Sequence, residues 1–167
     1  MSIVTGLLVA LATVVGMEAF AYATHRWIMH GPLWSLHASH HEPRKGWFEK
    51  NDWFAFMFAI PSVLCVFAGT QLGLGEAFTW VGAGIIVYGT IYFVFHDVIV
   101  HRRVKHGWVP KSAYMRRIIQ AHRLHHAFEG KDGTVSFGFL YAPPVRVLKA
   151  QLDGRAKASS RASRAAR

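Results

Sequence analysis

Residues 3–41 read IVTGLLVALATVVGMEAFAYATHRWIMHGPLWSLHASHH. The first 21 of them, Ile3 to Ala23, are apolar apart from one acid, Glu18, and five histidines follow within the next 18 positions. At 1.5 Å rise per residue such a helix covers the hydrocarbon core of a bilayer, about 30 Å. This stretch therefore predicts a membrane span that delivers a histidine-rich segment directly to the membrane surface. Ala21-Tyr22-Ala23 resembles a signal-peptidase site, but Met1-Ser2 supplies no basic n-region, so the reading is an uncleaved span.

Working outward, Trp53–Leu74 is a second apolar stretch, with a kink expected at Pro61 where a backbone N–H is missing. A third runs from Ala77 to about Phe95, after a short connection around Gly69–Glu76 that contains no Lys or Arg. Three spans place residues 24–52 and everything after His96 on one face. All 19 Lys/Arg and all 11 His fall there. That agreement predicts an all-α integral membrane protein of three transmembrane helices with interfacial helices on the cytoplasmic face. Composition fits: of 167 residues, 52% are hydrophobic and 17% charged, which argues against an ordinary soluble domain. The net charge of +10 comes mostly from 15 basic residues at or after Arg102. Basic residues beside apolar spans orient a membrane protein and meet lipid headgroups, so no nucleic-acid partner is implied.

After the third span, Ser112 is placed to cap a helix over Ala113–Glu129 with Gly130 as its stop. Met115, Ile118, Ile119 and His122 share one face of it. Val135–Leu148 is apolar but broken by Pro143-Pro144, and reads as a re-entrant segment or packed loop, with a fourth span as the less supported alternative. Residues 1–149 form the expected membrane domain, and 150–167 an unpacked basic tail on the lipid surface. The single cysteine, Cys65, excludes an intrachain disulfide and reads as a packed thiol.

Ten of the 11 histidines fall in four clusters: His25-x4-His30, His37-x2-His40-His41, His96-x4-His101 and His122-x2-His125-His126. The order of spacings repeats, which hints at a duplication. At 100° per residue, positions i, i+3 and i+4 project from one helical face, so one face can serve one site, and which histidines share a metal stays open. Positions i and i+5 differ by roughly 140° in a regular α-helix, so a π-type distortion is predicted at 25–30 and at 96–101. Ten imidazoles exceed the four to six ligands of one transition metal. Two metals are the natural count, and an all-nitrogen shell suits Fe, Zn or Cu. His106 lies outside the pattern.

The stretches HRWIMHGPLWSLHASHH (25–41), FEKND (48–52), YGTIYFVFHDVIVH (88–101) and YMRRIIQAHRLHH (114–126) resemble the fatty acid hydroxylase/sterol desaturase superfamily of membrane di-iron enzymes. Within it they resemble the branch of bacterial β-carotene hydroxylases, over nearly the whole chain as far as Pro144. The resemblance implies that His25, His30, His37, His40, His41, His96, His101, His122, His125 and His126 bind two Fe ions. It implies an O2-dependent monooxygenase that hydroxylates C3 of the β-ionone rings of β-carotene, giving β-cryptoxanthin and zeaxanthin, and extends to ketolated carotenoids. Further implications are a ferredoxin-type electron donor and a multi-pass place in the bacterial inner membrane with the histidines cytoplasmic. No flavin, haem or nicotinamide motif accompanies the histidines.

A ligating imidazole gives its other N–H to a carboxylate or carbonyl, which makes Asp97 the first candidate partner, followed by Glu42 and Asp52. Glu18, an acid within a span, is the fourth candidate: it is expected to face the protein interior, either hydrogen-bonding near the metals or pairing with a polar neighbour. Tyr88 and Tyr92 read as part of an aromatic belt, and Gly82, Gly84 and Gly89 as packing or substrate space. The rival readings are a sterol or fatty acyl hydroxylase or desaturase, a metal transporter and a haem-binding electron carrier.

Overall fold

The computed structural model describes residues 1–128 and 130–165. Among these residues all regular elements are helices: α1 Ile3–Ala23, α2 Trp34–His41, α3 Trp53–Thr70, α4 Glu76–Tyr92, α5 Ala113–His125 and α6 Val145–Ala165. A π-helical turn, Thr24–Met29, extends α1, and a second, Phe93–Val100, extends α4. With these extensions three helices are long and apolar enough to cross a membrane. Their outer surfaces fit a lipid solvent: Ile3, Leu7, Leu11 and Val15 on α1 and Ile60, Val63 and Leu64 on α3 are all exposed.

Helix α4 lies between α1 and α3 and packs on both. Two small residues permit this. A Cβ on Gly84 would lie 2.7 Å from the Ala10 carbonyl oxygen of α1, and one on Gly82 would lie 2.8 Å from the Ser62 carbonyl oxygen of α3. Gly89, by contrast, faces open space and takes no part in packing. The amino terminus of Met1 meets the Glu76 carboxylate at 2.6 Å, so the starts of α1 and α4 share one end of the bundle. The ends of both helices, where the histidines lie, therefore share the other. Helix α3 runs unbroken through Pro61, while Cys65 on α3 is half-buried rather than a fully packed thiol.

At the histidine end, α2 and α5 close over the spans. The Ser112 hydroxyl accepts from the Met115 N–H at 3.1 Å, as the sequence predicts, and Ile118, Ile119 and His122 are buried while Arg116, Gln120 and Arg123 are exposed. Helix α5 stops at His125, short of the expected end, because the His125 carbonyl accepts the Thr134 hydroxyl. Glu129, the expected last residue, lies outside the described residues.

Residues 135–144 form a packed strap, and α6 begins only after Pro143-Pro144. The helix crosses the boundary expected between 149 and 150. Leu148 and Leu152 bury against Phe95, Ile118 and Ala121, and Arg155 donates to the Thr134 carbonyl. The segment beyond 150 thus begins as a docked helix, because two leucines one turn apart give it an apolar stripe that the composition of the whole tail obscured.

Candidate metal centres

Both five-residue histidine spacings lie on π-helical turns. The His30 N–H donates to the His25 carbonyl at 3.0 Å, and the His101 N–H to the His96 carbonyl at 2.9 Å. An i to i−5 bond closes a wider turn, so each pair stacks on one face where a regular α-helix would splay it.

Eight of the ten clustered histidines converge into two groups of four, whose nitrogens within each group lie within 4.8 Å of one another. The first holds His25, His30, His37 and His125, and the second His40, His96, His101 and His122. His41, His125 and His126 form a third set bridging the two, with the His41 and His126 rings 4.5 Å apart. His41 Nε2 lies 3.3 Å from His37 Nε2, and His126 Nε2 lies 3.0 Å from His122 Nε2. The first centre thus gathers His25, His30, His37, His41 and His125. The second gathers His96, His101, His122, His126 and His40. Within each x2-His-His triplet, the Nε2 atoms of residues i and i+4 are neighbours, and i+3 lies in the other group. Adding 71 to 25 and 30, or 85 to 37, 40 and 41, maps the first repeat onto the second and exchanges the two centres.

The hydrogen bonds fix what these nitrogens can do. His25 donates its Nδ1–H to the Phe137 carbonyl at 2.9 Å, His30 to Lys131 at 2.9 Å, His41 to Phe128 at 3.0 Å and His125 to Val135 at 3.1 Å. His37 donates to Asn51 Oδ1 at 2.7 Å. A carbonyl cannot donate, so each neutral ring keeps its proton on Nδ1 and turns an Nε2 lone pair inward. Lone pairs then face each other, His25 to His37 at 3.1 Å and His30 to His125 at 3.2 Å. With no proton to share, these contacts suit a shared cation. Two nitrogens bound at about 2.1 Å to one metal would lie about 3.0–3.4 Å apart in octahedral or tetrahedral geometry, which matches. The second centre has the same spacing, 2.9 Å between His101 and His122 Nε2, and His40 Nε2 is buried there with no hydrogen-bond partner. The donor set and its spacing fit a pair of metal ions.

Burial holds the rings neutral, the form a metal needs. It pushes His37 down to about 3, His41 to about 4, His101 to about 4 and His126 to about 2, with neighbouring cationic forms adding to the effect. His40, His122 and His125 are pushed well below the usual range for the same reason.

The acidic candidates divide. Asp97 lies 3.3 Å from His96 Nδ1, where the sequence places it, and 3.7 Å from Arg103. Asp52 faces Arg103 at 2.5 Å and accepts the Glu49 N–H, touching no histidine ring. Glu42 is exposed and lies 3.7 Å from Lys45, away from any imidazole hydrogen bond. Two groups the sequence reasoning missed take their place: Asn51 on His37, and Glu49, whose Oε2 is 3.6 Å from His40 Nδ1. Both lie in FEKND, which carried the resemblance without a role for each letter. Glu18 faces inward and accepts the Tyr88 hydroxyl at 2.8 Å. Tyr88 is buried and Tyr92 stacks on His96 with ring centroids 4.6 Å apart, so neither forms the expected belt. Their one-turn spacing puts Tyr88 on Glu18 and Tyr92 on His96. His106 stays outside, directed at the Val98 carbonyl. An open cleft of about 350 Å³ reaches His40, His41, His101, His122 and His126 past Pro43 and Arg123.

Comparison with known proteins agrees with this geometry. The family described as fatty acid hydroxylase matches residues 10–143. A beta-carotene hydroxylase of Pantoea ananas is 48% identical over 94% of this chain and 89% of its own length. One from a Paracoccus species is 49% identical over 89% of this chain and 91% of its own. A chloroplastic beta-carotene 3-hydroxylase of Haematococcus lacustris is 42% identical over 82% of this chain and 43% of its own. No solved structure matches the chain.

Proposed function

The chain belongs to the fatty acid hydroxylase family, and within it we propose that it acts as a β-carotene hydroxylase with two irons held by its ten clustered histidines. The observation that carries this reading is the outward donation of five Nδ1–H groups in the first centre, which leaves inward lone pairs without protons at metal-ligand spacing. The named relatives support β-carotene as the substrate and, by the name of the Haematococcus relative, position 3 of the ring; the proposed products are β-cryptoxanthin and then zeaxanthin, with ketolated rings as further substrates.

When bound, a pair of irons supplies O2 reduction at a site able to break an unactivated ring C–H bond. The balance per turnover is one C–H bond converted to C–OH, one O2 consumed, two electrons and two protons taken up and one water released. The electrons come from an external carrier of ferredoxin type. The protein's own part is positional. Nδ1–H donation fixes the tautomer and orientation of each ring in the first centre. Tyr92 and Phe139 wall His96 with aromatic surface, Tyr92 at 4.6 Å and Phe139 at 5.4 Å between centroids, and so keep water from that side. A carotene dissolved in the bilayer meets the site at the ends of exposed apolar helices and need not cross water. The positive-inside rule, applied to the basic loops, supports assigning this end to the cytoplasmic face of the inner membrane.

The test is expression in cells that accumulate β-carotene, with chromatography of the extracted pigments. β-Cryptoxanthin and zeaxanthin are expected. Unconsumed β-carotene beside a membrane-inserted, iron-containing protein would contradict the substrate, and a hydroxylated sterol or fatty acyl chain in its place would establish the rival reading.

A further inference from the structure

Four of the five first-centre rings are oriented by backbone carbonyls of one segment: Phe128 for His41, Lys131 for His30, Val135 for His125 and Phe137 for His25. The second centre has no comparable strap among the described residues. Val135 and Phe137 belong to the strap of residues 135–144, so what holds the strap bears on His125 and His25 of the first centre, while its contact with the second is the packing of Phe139 beside His96 and His122.

At its far end the strap is seated on Glu18. One carboxylate oxygen, Oε1, accepts the backbone N–H groups of Phe139, Leu140 and Tyr141 at 2.9, 2.9 and 3.2 Å. The other, Oε2, accepts the Tyr88 hydroxyl at 2.8 Å. Four donors on one carboxylate satisfy a charge that would otherwise be costly within a span. The close seat also dictates residue 138. A Cβ on Gly138 would lie 2.9 Å from Glu18 Oε1 and 2.7 Å from the Tyr141 carbonyl oxygen. Just before it the backbone turns through φ 61° at Ser136, between the two residues whose carbonyls face His125 and His25. The Phe139 ring lies flat on the His25 ring, with 9° between planes and 5.5 Å between centroids.

We propose that Glu18 is a positioning residue for the first metal centre. It touches no imidazole. By fixing residues 139–141 it holds the Phe137 carbonyl and the Phe139 ring against His25, and so sets the orientation in which His25 offers Nε2. The inference rests on the two-metal reading. Removing the carboxylate should weaken the first centre far more than the second, which loses no hydrogen bond from the strap and touches it only through the Phe139 ring.

The test uses full-length protein purified in detergent, stripped of metal and titrated with Co2+, following the visible absorption bands. Wild type is expected to bind two equivalents, and any other number defeats the two-metal reading rather than the role of Glu18. His25→Ala and His96→Ala provide the spectra of a lesion in each centre. Glu18→Ala is expected to bind one equivalent normally and the other about 10- to 100-fold more weakly, the usual loss when a ligand's hydrogen-bonded support is removed, with the His25→Ala spectrum. Glu18→Gln keeps an oxygen for the three N–H groups and should restore both equivalents. Wild-type binding by Glu18→Ala, equal weakening of both centres, or no rescue by Gln would each overturn the proposal. Should Glu18→Ala fail to fold, Gly138→Ala lifts the strap from an intact carboxylate and carries the same expectation, and two normal equivalents there would equally defeat it.

Discussion

Asn51 accepts the His37 Nδ1–H at 2.7 Å from a short 3-10 turn, Lys50–Asp52, and is buried. The turn is closed reciprocally: the Glu49 N–H donates to the Asp52 carboxylate, and the Asp52 N–H to the Glu49 carbonyl. Asp52 in turn faces Arg103, so a chain of polar contacts joins the entry of α3 to the segment after His101. Asn51→Ala removes the acceptor and leaves a buried N–H unpaired, a cost of about 1–3 kcal/mol. The expected result is 10- to 100-fold weaker metal binding, measured by titration of the stripped protein. Asn51→Asp keeps an acceptor and should remain near wild type. Such supports were poorly legible in the sequence. Asp97 was visible because it neighbours His96, but four of the five Nδ1 partners in the first centre are backbone carbonyls, which no side chain announces. Asn51, a neutral amide beside the more conspicuous Asp52, was passed over for the charge next to it.

Among the elements, α4 decides how the histidines meet, since α1 and α3 both pack against it. Gly82→Leu would drive a side chain into the Ser62 carbonyl and the Val66 backbone of α3, at 2.8 and 2.9 Å from the added Cβ. Overpacking of this kind costs about 1–3 kcal/mol, so thermal unfolding in detergent should shift down. Gly89→Leu, with nothing within 4 Å, should leave the transition unchanged. The three spans and both π turns were legible, the spans from apolar length and the turns from the mismatch between a five-residue spacing and a 3.6-residue helix. The crossed use of the triplets was not. Three rings within about 100° of arc can face one ion or straddle two, and only the apposition of α2 and α5 decides. The docking of α6 was hidden likewise, because Leu148 and Leu152 acquire meaning only against the α5 face.

At the scale of the whole molecule, ten neutral imidazoles packed at one end make stability depend on pH and on metal. A histidine whose value is pushed down on folding takes up protons more readily when unfolded, so stability rises with pH between the folded and unfolded values. For His37 at about 3, and His41 and His101 at about 4, against an ordinary 6.5, the metal-free protein should lose stability steadily as pH falls below about 6.5. Each ring so suppressed contributes about 1.4 kcal/mol per pH unit in that window. Denaturation of the stripped protein at pH 7.5 and 5.5 checks this, and an equal or higher midpoint at the lower pH would contradict it. The repeat of spacings, weak as sequence similarity, becomes a two-fold relation in space: each half supplies four rings to its own centre and one to the other's, His40 in one direction and His125 in the other. On the two-metal reading, that exchange would tie the halves together through the metals. The most direct test is to locate iron by anomalous diffraction from crystals of the iron-loaded protein. The account predicts two iron positions, with His125 beside His25, His30, His37 and His41 at one and His40 beside His96, His101, His122 and His126 at the other. A single iron, or two irons with His37, His40 and His41 all on one of them, would contradict it.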